Sequence, residues 1–333
     1  MKVPTSLSHF QQHIGLFQSP SECQRMSPHN LLPLFLLALL WVTGAPFRIC
    51  AFNTQHFAQG KADKADVMDI FVKILSRCDI SVLQEVMDAK GKAVPALLAV
   101  LNSFDSSGHY KYLASPLLGR SNYQERYVFI YRSLRTQLLD SYTYEDNHPD
   151  RPDIFTREPF VARFTVPSKV LSDVVLIPQH TMPSKAETEI DALYDVFLNV
   201  RDRWNTEDMI FLGDFNADCG FVAKKRWGQI RLRQQPDFHW LIGDKADSTV
   251  RENTRCAYDR IVVHGDRCLG VVIPGSARPF DFPKEYGLSE AEALKVSDHY
   301  PVEVELNTAC HRFQPAGVIL LALAMLSGSG YGI

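Results

Sequence analysis

Two short segments of the sequence combine residue types that can bind a metal ion and move a proton. They are residues 213–216, Gly-Asp-Phe-Asn, and residues 297–299, Ser-Asp-His. Asp and Asn are common turn residues, so the Asp-Phe-Asn tripeptide alone favours a turn over a site. On an extended segment, however, the side chains of Asp214 and Asn216 point to the same side. The choice between turn and site therefore depends on what accompanies them.

Other polar residues lie at the ends of short apolar runs that predict strands. Loops at strand ends, held by a rigid sheet, are where sites are usually built. These residues are Asn53, Glu85, His180, Asp214 with Asn216, Asp259, and Asp298 with His299. Hard oxygen donors suit Mg²⁺ or Ca²⁺ and disfavour zinc, which prefers imidazole and thiolate. The predicted ligands of such an ion are Asn53, Glu85, Asp214, Asn216 and Asp298.

Two histidines have the properties of an acid–base pair. His180 comes soon after the apolar run 174–177, and His299 directly follows Asp298. Neutral imidazole is the natural general base near pH 7, and imidazolium is the natural acid. Each needs a carboxylate to fix its tautomer, and Glu125 and Asp259 are available. A lone histidine is more often structural, but two such pairs beside a metal site predict proton transfer at the attacking and leaving oxygens of a displacement.

This combination of groups suits hydrolysis of a phosphodiester bond. A divalent ion offsets the charge that develops on the phosphoryl oxygens, and an imidazolium protonates the departing oxygen. We therefore expect Asp214 to serve both the metal ion and catalysis. The sequence has no Gly-x-Ser-x-Gly motif and no glycine-rich phosphate loop, which leaves acyl transfer and ATP chemistry with little support.

Phosphate binding requires local positive charge, because the chain as a whole has a formal net charge of −3. Arg120 and Arg157 lie in segments that adjoin the predicted catalytic groups, and both are candidate phosphate contacts. Tyr123 and Tyr258 flank the same segments and are candidate contacts to sugar or base edges. The alternatives are a solvated surface for charge runs such as residues 224–226, and core packing for the tyrosines.

The elements that position these residues alternate between helical and extended patterns. Spacing of i, i+3, i+4, i+7 predicts amphipathic helices around residues 68–75, 94–101 and 190–197. Apolar or β-rich runs predict strands at 47–52, 80–83, 127–131, 174–177, 209–212, 260–263 and 302–306. In the last run Glu303 and Glu305 alternate with apolar residues, so we expect one face to meet water. Helices mixed with many strands predict helices packed on sheets.

The two ends of the chain differ from its middle. Residues 45–308 contain no low-complexity linker and predict one compact domain. Residues 31–42 are apolar and precede small residues, so residues 1–44 predict a secretory signal region, with Met26 as an alternative start and a buried core helix as the alternative structure. Residues 309–333 have no charge after Arg312 and predict a hydrophobic tail, either a glycolipid-anchor signal or a membrane tail. The predicted location is the secretory pathway: endoplasmic reticulum, cell surface or extracellular space.

Motifs in order along the chain resemble those of the deoxyribonuclease I family. They are Phe-Arg-Ile-Cys-Ala-Phe-Asn at 47–53, Gln-Glu-Val at 84–86, Leu-Gly-Arg-Ser-Asn-Tyr at 118–123, Arg-Glu-Pro at 157–159, Gly-Asp-Phe-Asn-Ala-Asp-Cys at 213–219, Cys-Ala-Tyr-Asp-Arg at 256–260 and Ser-Asp-His-Tyr-Pro-Val-Glu at 297–303. The resemblance is to the branch with a C-terminal hydrophobic tail. It implies a four-layer α/β sandwich with two central mixed β-sheets flanked by helices, and internal cutting of DNA to 5′-phosphate products.

The resemblance also implies roles for individual residues. It pairs His180 with Glu125 and His299 with Asp259, and it assigns the oxygen ligands above to metal and phosphate. It implies Mg²⁺ and Ca²⁺ as cofactors, with Mn²⁺ as a substitute. A disulfide between Cys219 and Cys256 and a structural calcium loop are also implied. The calcium residues are Asp218, Asp247 and Thr249, in a loop one residue longer than the family's. The pairing of Cys50, Cys78, Cys268 and Cys310 stays open.

Departures from the family pattern affect the partners. Met87 replaces a groove-reading arginine and Phe221 replaces a tyrosine, so we expect altered contacts to DNA. Ala114 and Pro116 change the actin-contact segment, so we expect weak or absent actin binding, and we expect a monomer. The alternatives to a nuclease are a phosphodiesterase of the same fold acting on abasic DNA or phospholipid, and a catalytically idle, membrane-tethered binding protein.

Overall fold

The computed structural model describes residues 45–120 and 123–308. Its strands are β1 (Phe47–Phe57), β2 (Ile80–Val86), β3 (Tyr110–Ala114), β4 (Arg126–Arg132), β5 (Leu138–Thr143), β6 (Phe160–Thr165), β7 (Asp173–Pro178), β8 (Met209–Asp214), β9 (His239–Trp240), β10 (Asp259–His264), β11 (Arg278–Pro279) and β12 (Val302–Leu306). Its helices are α1 (Gln59–Ala62), α2 (Ala65–Leu75), α3 (Ala93–Phe104), α4 (Ala186–Trp204), α5 (Arg231–Gln234), α6 (Asp266–Val271), α7 (Phe282–Tyr286) and α8 (Glu290–Val296), with 3₁₀ turns at Pro183–Lys185 and Lys224–Gln229.

The strands form two six-stranded mixed sheets. The first has the order β11-β12-β1-β2-β4-β3 and the second the order β5-β6-β7-β8-β10-β9. Only β1–β2 and β7–β8 are parallel among these pairs, and the other neighbours are antiparallel. The sheets pack face to face with helices on their outer faces, which confirms the four-layer α/β sandwich.

The period-two alternation of the strands explains how one strand contributes to two cores. In β8, Ile210 and Leu212 enter the core between the sheets, whereas Met209 and Phe211 face helix α4. Successive side chains of a strand point to opposite faces, so a strand covered on both faces is apolar throughout. For this reason residues 209–212 form a continuous apolar run in the sequence.

All seven predicted strands and all three predicted helices are confirmed, usually with bounds extended by a few residues. The sequence pattern missed strands β3, β5, β6, β9 and β11. Four of these five lie at a sheet edge, and two of them, β9 and β11, have only two residues each, too few to show an alternation. The missed helices α1, α5, α6, α7 and α8 have four to seven residues, too short to show a helical period.

The expectation that one face of β12 meets water is wrong at Glu303. Its side chain is only 2% exposed, because Arg77 Nη2 lies 2.8 Å and Arg278 Nε 3.1 Å from its carboxylate oxygens. The Arg77 guanidinium in turn stacks on the Phe280 ring at 3.6 Å. β12 lies between β11 and β1, so its outer face is covered by ion pairs, and alternating glutamates do not distinguish this from exposure.

Two disulfides connect the described residues. Cys219 pairs with Cys256, as the family resemblance implied, and Cys50 pairs with Cys78, which the sequence left open. Cys268 is unpaired and buried within the described ranges. The predicted signal region and the tail with Cys310 lie outside the described residues. Among residues 45–120 and 123–308, no helix is long and apolar enough to span a membrane.

Candidate active site

The predicted chemical groups meet at one edge of both sheets. β1 and β2 are parallel, so Asn53 and Glu85 lie toward the same edge of the first sheet. In the second sheet β10 runs antiparallel to β8, which places Asp259 directly opposite Asp214. Because the sheets pack face to face, these four residues from separate strands converge.

Backbone irregularities aim the first two residues into the site. The pairing of β1 with β2 shifts after Asn53, and the pairing of β2 with β4 shifts between Leu83 and Val86. Glu85 has a φ of 55°, in the left-handed region that side chains rarely adopt. A bulge of this kind redirects a side chain next to an active site. As a result, Asn53 Nδ2 donates to Glu85 Oε1 and Asp214 Oδ2, each at 3.0 Å.

A buried glutamine connects the two sheets beneath the site. The backbone N–H of Asp214 donates to Gln84 Oε1 at 2.9 Å, and Gln84 Nε2 donates to the carbonyl of Gln179 at 2.5 Å. At Gly213, which has a φ of 127°, an added Cβ would lie 2.2 Å from Gln84 Nε2. Glycine is therefore required before Asp214 by both conformation and space.

The segment from Asp214 to Asn216 is a turn and also part of the site. Asn216 has a φ of 48°, and its backbone N–H donates to Asp214 Oδ1 at 3.0 Å. Its side-chain Nδ2 donates to the carbonyl of Thr181 at 3.1 Å. The Asp214 side chain accepts from the backbone N–H two residues on and closes the turn that the tripeptide alone favoured, so the segment is both a turn and part of the site.

The first histidine pair is buried. His180 Nδ1 lies 2.7 Å from Glu125 Oε1, and the His180 backbone N–H donates to the Tyr127 hydroxyl at 2.8 Å. Arg157 contacts both members of the pair. Its Nη1 is 3.5 Å from Glu125 Oε2, and its Nε donates to the His180 carbonyl at 2.9 Å. Burial favours a neutral carboxyl, but the positive charges of His180 and Arg157 hold the pKa of Glu125 below its usual range.

The second histidine pair has a different environment. His299 Nδ1 lies 2.8 Å from Asp259 Oδ2, and Ser297 Oγ accepts from the His299 backbone N–H at 3.0 Å. Burial opposes protonation of His299, but the carboxylates of Asp259 and Asp214 outweigh it and raise the His299 pKa to about 10. Burial also raises the pKa of Asp259, with the Asp214 carboxylate adding to the effect.

Asp214 lies between the two imidazoles. Its Oδ2 is 3.6 Å from His180 Nε2 and 3.6 Å from His299 Nε2. Burial alone favours a neutral Asp214, but the charges of His299 and His180 lower its pKa. Burial likewise opposes protonation of His180, and the adjacent Glu125 carboxylate still raises the His180 pKa above its usual value. Both imidazoles thus present Nε2 to one carboxylate oxygen.

The oxygen-donor part of the site fits a hard divalent cation. Glu85 and Asp214 present carboxylate oxygens that share one amide donor, Asn53 Nδ2, so the two oxygens converge. Asp214, Asp259 and His299 also bring ligand-type atoms within 4.8 Å of one another. We assign Asp259 and His299 to proton transfer rather than to metal binding, because His299 Nδ1 and Asp259 Oδ2 are already hydrogen-bonded to each other. Of the other predicted ligands, Asn216 joins Asp214 through its turn, and Asp298 is half-buried beside His299.

The family is decided by comparison with known proteins. A model described as the Endonuclease/Exonuclease/phosphatase family matches residues 50–299. Deoxyribonuclease-1-like 1 of Sus scrofa is 54% identical over 294 residues, which cover 88% of this chain and 91% of that protein. This chain is a hydrolase of the deoxyribonuclease I-like branch of that family. The resemblance to the deoxyribonuclease I family that the motifs indicated is confirmed, and the C-terminal tail stays a prediction.

Two further comparisons agree with the deoxyribonuclease I-like assignment. Deoxyribonuclease gamma of Homo sapiens is 44% identical over 281 residues, 84% of this chain and 92% of that protein. The crystal structure of D. rerio TDP2 complexed with a single-strand DNA product has a TM-score of 0.53 and 17% identity, covering 79% of this chain and 100% of that one. At such low identity the second likeness shows the fold alone.

In this deoxyribonuclease I-like chain the four predicted substrate contacts have different surroundings. Arg120 is exposed and pairs with Asp153 at 3.0 Å. Arg157 is 5% exposed and lies beneath the first histidine pair. Tyr123 is 42% exposed, and its hydroxyl is 3.1 Å from His56 Nε2. Tyr258 lies between Phe221, at a ring distance of 5.4 Å, and His299, at 6.1 Å. Their contact with DNA stays a prediction.

The residues of the predicted calcium loop form two local groups. Asp247 Oδ1 accepts from the backbone N–H and the hydroxyl of Thr249, at 3.0 and 2.6 Å. Asp218 Oδ2 accepts from the backbone N–H of Ala257 at 2.8 Å, next to the disulfide of Cys219. Calcium binding at this loop also stays a prediction.

Sequence reasoning missed several residues that support the site. Lys61 Nζ donates to the carbonyls of Thr54 and Val296, at 2.8 and 2.6 Å, and burial lowers its pKa to about 8. Ser297 Oγ donates to the Asn53 carbonyl at 2.7 Å. Gln84, Tyr127 and Glu189 were also missed. The available signal was polarity within apolar patterns: Gln84 interrupts a buried strand, and Glu189 precedes Ile190 on the apolar face of its helix.

Proposed function

We propose that the protein is a divalent-metal-dependent endonuclease that hydrolyses phosphodiester bonds of DNA to 5′-phosphate products. The observation that carries the proposal is the convergence of two His–carboxylate pairs. Both imidazole Nε2 atoms lie 3.6 Å from Asp214 Oδ2. Two imidazoles that face one small space are suited to handle the proton of an attacking water and the proton of a leaving oxygen.

Glu85 and Asp214 would hold the metal ion, with Asn216 and Asp298 beside them. The predicted ligand Asn53 would orient these carboxylates, because its Nδ2 faces both of them and its Oδ1 accepts from the Gln55 backbone N–H. Mg²⁺ or Mn²⁺ there would neutralise charge that develops on the phosphoryl oxygens. Asn53 fixes the two carboxylates by donating to both, and the inter-sheet contacts of Gln84 fix Asp214. These bonds set the donors in place before substrate arrives, which reduces the reorganisation needed during the reaction.

The protein's own side chains then account for proton transfer. Glu125 and Asp259 accept from the Nδ1 atoms of His180 and His299, so each Nε2 faces the reacting groups. One imidazole accepts a proton from the attacking water and the other donates a proton to the departing 3′ oxygen. Because the bond to the 3′ oxygen breaks, the phosphate stays on the 5′ oxygen of the following nucleotide.

Two observations support DNA as the substrate. The chain shares 52–54% identity with proteins named Deoxyribonuclease-1-like 1 and 44% with one named Deoxyribonuclease gamma. Around the site, Tyr123 and Tyr258 offer aromatic surfaces, and Arg120 offers an exposed cation. Such groups suit sugar, base and backbone contacts.

A plasmid-nicking assay tests this proposal. Pure protein with Mg²⁺ and Ca²⁺ should convert supercoiled plasmid to nicked and linear forms, and EDTA should abolish the conversion. The products should be substrates for a 5′-phosphate-dependent exonuclease. In parallel, the same preparation is given phospholipid and abasic duplex. Intact supercoils together with released lipid phosphate, or cutting confined to abasic sites, would assign the enzyme to the alternative phosphodiesterases.

We also propose that the protein enters the secretory pathway and attaches to membranes through residues 309–333. Disulfides persist in oxidising compartments, and the described residues contain two. The ends of the described chain meet: Thr308 Oγ1 donates to the Ala45 carbonyl at 3.3 Å. β1 and β12 run between this point and the catalytic edge, so attachment here leaves the site free. Mass spectrometry of both mature termini tests the processing.

A further inference from the structure

A third carboxylate is buried behind the first histidine pair. Glu189, near the start of α4, has no exposed surface and belongs to neither His–carboxylate pair. Its Oε1 accepts from the Thr156 backbone N–H at 3.2 Å and from the Thr156 hydroxyl at 2.8 Å. Its Oε2 accepts from Gln179 Nε2 at 3.0 Å and from the Met182 backbone N–H at 3.3 Å.

These donors belong to two segments that carry catalytic-site residues. Thr156 precedes Arg157, and Gln179 and Met182 lie on either side of His180. The Gln179 amide also lies 3.4 Å from the carbonyls of both Arg157 and His180. One carboxylate from α4 therefore joins the two segments through hydrogen bonds to both.

All four groups that contact Glu189 are hydrogen-bond donors. Both carboxylate oxygens of Glu189 must therefore be acceptors. An ionised carboxylate supplies this, whereas a carboxamide presents an N–H₂ group to one pair of donors. Arg157 Nη1 lies 3.5 Å from Glu125 Oε2. Burial works to lower the pKa of Arg157, but the charges of Glu125 and Glu189 are among those that raise it. Glu189 thereby offsets the cation that would otherwise face Glu125 alone.

We propose that Glu189 is a positioning residue for proton transfer by His180, an inference that rests on the proposed nuclease function. It fixes the relative positions of the Arg157 and His180 segments. As a result, His180 Nδ1 keeps its hydrogen bond to Glu125 and His180 Nε2 stays directed at Asp214. Glu189 touches no reacting group, and its contribution is to the geometry of the pair.

Glu303 provides a matched control. It is also a buried carboxylate with several partners, but these are the arginines 48, 77 and 278, on the outer face of the first sheet. Removing Glu189 leaves buried donors unpaired, and removing Glu303 leaves Arg77 without its carboxylate partner, so both variants should lower the melting temperature. Only Glu189 is connected to the catalytic segments.

The test compares Glu189→Ala and Glu303→Ala in the full chain on a short DNA duplex with Mg²⁺ and Ca²⁺. Glu189→Ala should lower kcat about 10- to 100-fold with KM within about twofold, since a displacement of about 1 Å is enough for such a loss. Glu303→Ala should keep kcat within about twofold of the wild type. Glu189→Gln retains the volume and one acceptor, and should have an intermediate kcat.

Each outcome separates the two proposals. An inactive wild type contradicts the nuclease function itself. An active wild type with folded Glu189→Ala at wild-type kcat, or with equal losses in Glu189→Ala and Glu303→Ala, overturns the positioning role. If Glu189→Ala does not fold, Glu189→Gln decides: wild-type kcat in that variant also overturns the proposal, and a selective fall in kcat supports it.

Discussion

The two histidine pairs have the same hydrogen bond but opposite electrostatic surroundings. In the first, Arg157 lies 3.5 Å from Glu125, so a permanent cation balances the carboxylate that orients His180. In the second, Asp259 and Asp214 both face His299, and among the described residues neither carboxylate has an ion pair with Lys or Arg. Arg157 works to lower the pKa of His180, whereas the carboxylates of Asp259, Asp214 and Asp298 all work to raise the pKa of His299.

This difference indicates that the two imidazoles are not interchangeable. His299, between two carboxylates, holds its proton firmly and is suited to donate to the leaving oxygen. Arg157 balances the carboxylate that orients His180, and we propose that His180 accepts the proton from water. When two groups of the same type lie in different electrostatic environments, their pKa values differ, and one can act as the acid and the other as the base.

The largest expected effect comes from removing either orienting carboxylate. Asp259→Asn and Glu125→Gln should each lower kcat by about 10²- to 10⁴-fold, because the histidine loses the acceptor that fixes its tautomer. Steady-state cleavage of a short duplex measures this. Similar kcat values for either variant and the wild type would show that the corresponding pair does not act in the reaction.

The next effect distinguishes the pairs by stability. Glu125→Ala should lower the free energy of unfolding by about 3 kcal/mol, because it leaves the buried Arg157 without its nearest carboxylate. Asp259→Ala leaves no arginine unpaired, and His299 keeps the Asp214 carboxylate at 3.6 Å, so this variant should cost less. Urea unfolding in EDTA measures both. The double variant Glu125→Ala/Arg157→Met should recover part of the loss, and equal costs for the two single variants would contradict the comparison.

A smaller and more specific effect concerns the protonation of His299. Its folded pKa of about 10 lies above the usual value of about 6.5. The resulting stabilisation is complete below pH 6.5 and is lost as pH rises toward 10. In metal-free protein, NMR of the His299 ring should therefore show no titration between pH 6 and 8. Asp259→Asn should lower the midpoint, and a wild-type midpoint near 6.5 would contradict the assigned environment.

The sequence predicted the site better than it predicted the fold. Both histidine pairs and the Asn53–Glu85–Asp214 group were named from motifs, and the structure brings each together. Motif residues are recognisable because their chemistry restricts their type. The short edge strands had no such restriction, and the burial of Glu303 depends on arginines 25 and 226 residues away in sequence.

The supporting residues explain what motif reasoning leaves out. Gln84 and Glu189 act through contacts across 130 and 33 residues, which appear only after the sheets and helix α4 are assembled. The bulges at Asn53 and Glu85 are equally invisible, since both lie in runs that read as regular strands. Tertiary contacts, rather than local pattern, determine these features.

The most direct test of the central claim is a double-variant cycle on His180 and His299. We expect His180→Ala and His299→Ala each to lower kcat by about 10²- to 10⁴-fold on duplex DNA, since each loses a proton-transfer group. We also expect the double variant to be about as slow as the slower single variant, because the effects of groups that act as one unit are not additive. Wild-type kcat in either folded single variant, or losses that multiply in the double variant, would contradict two histidines serving one reaction.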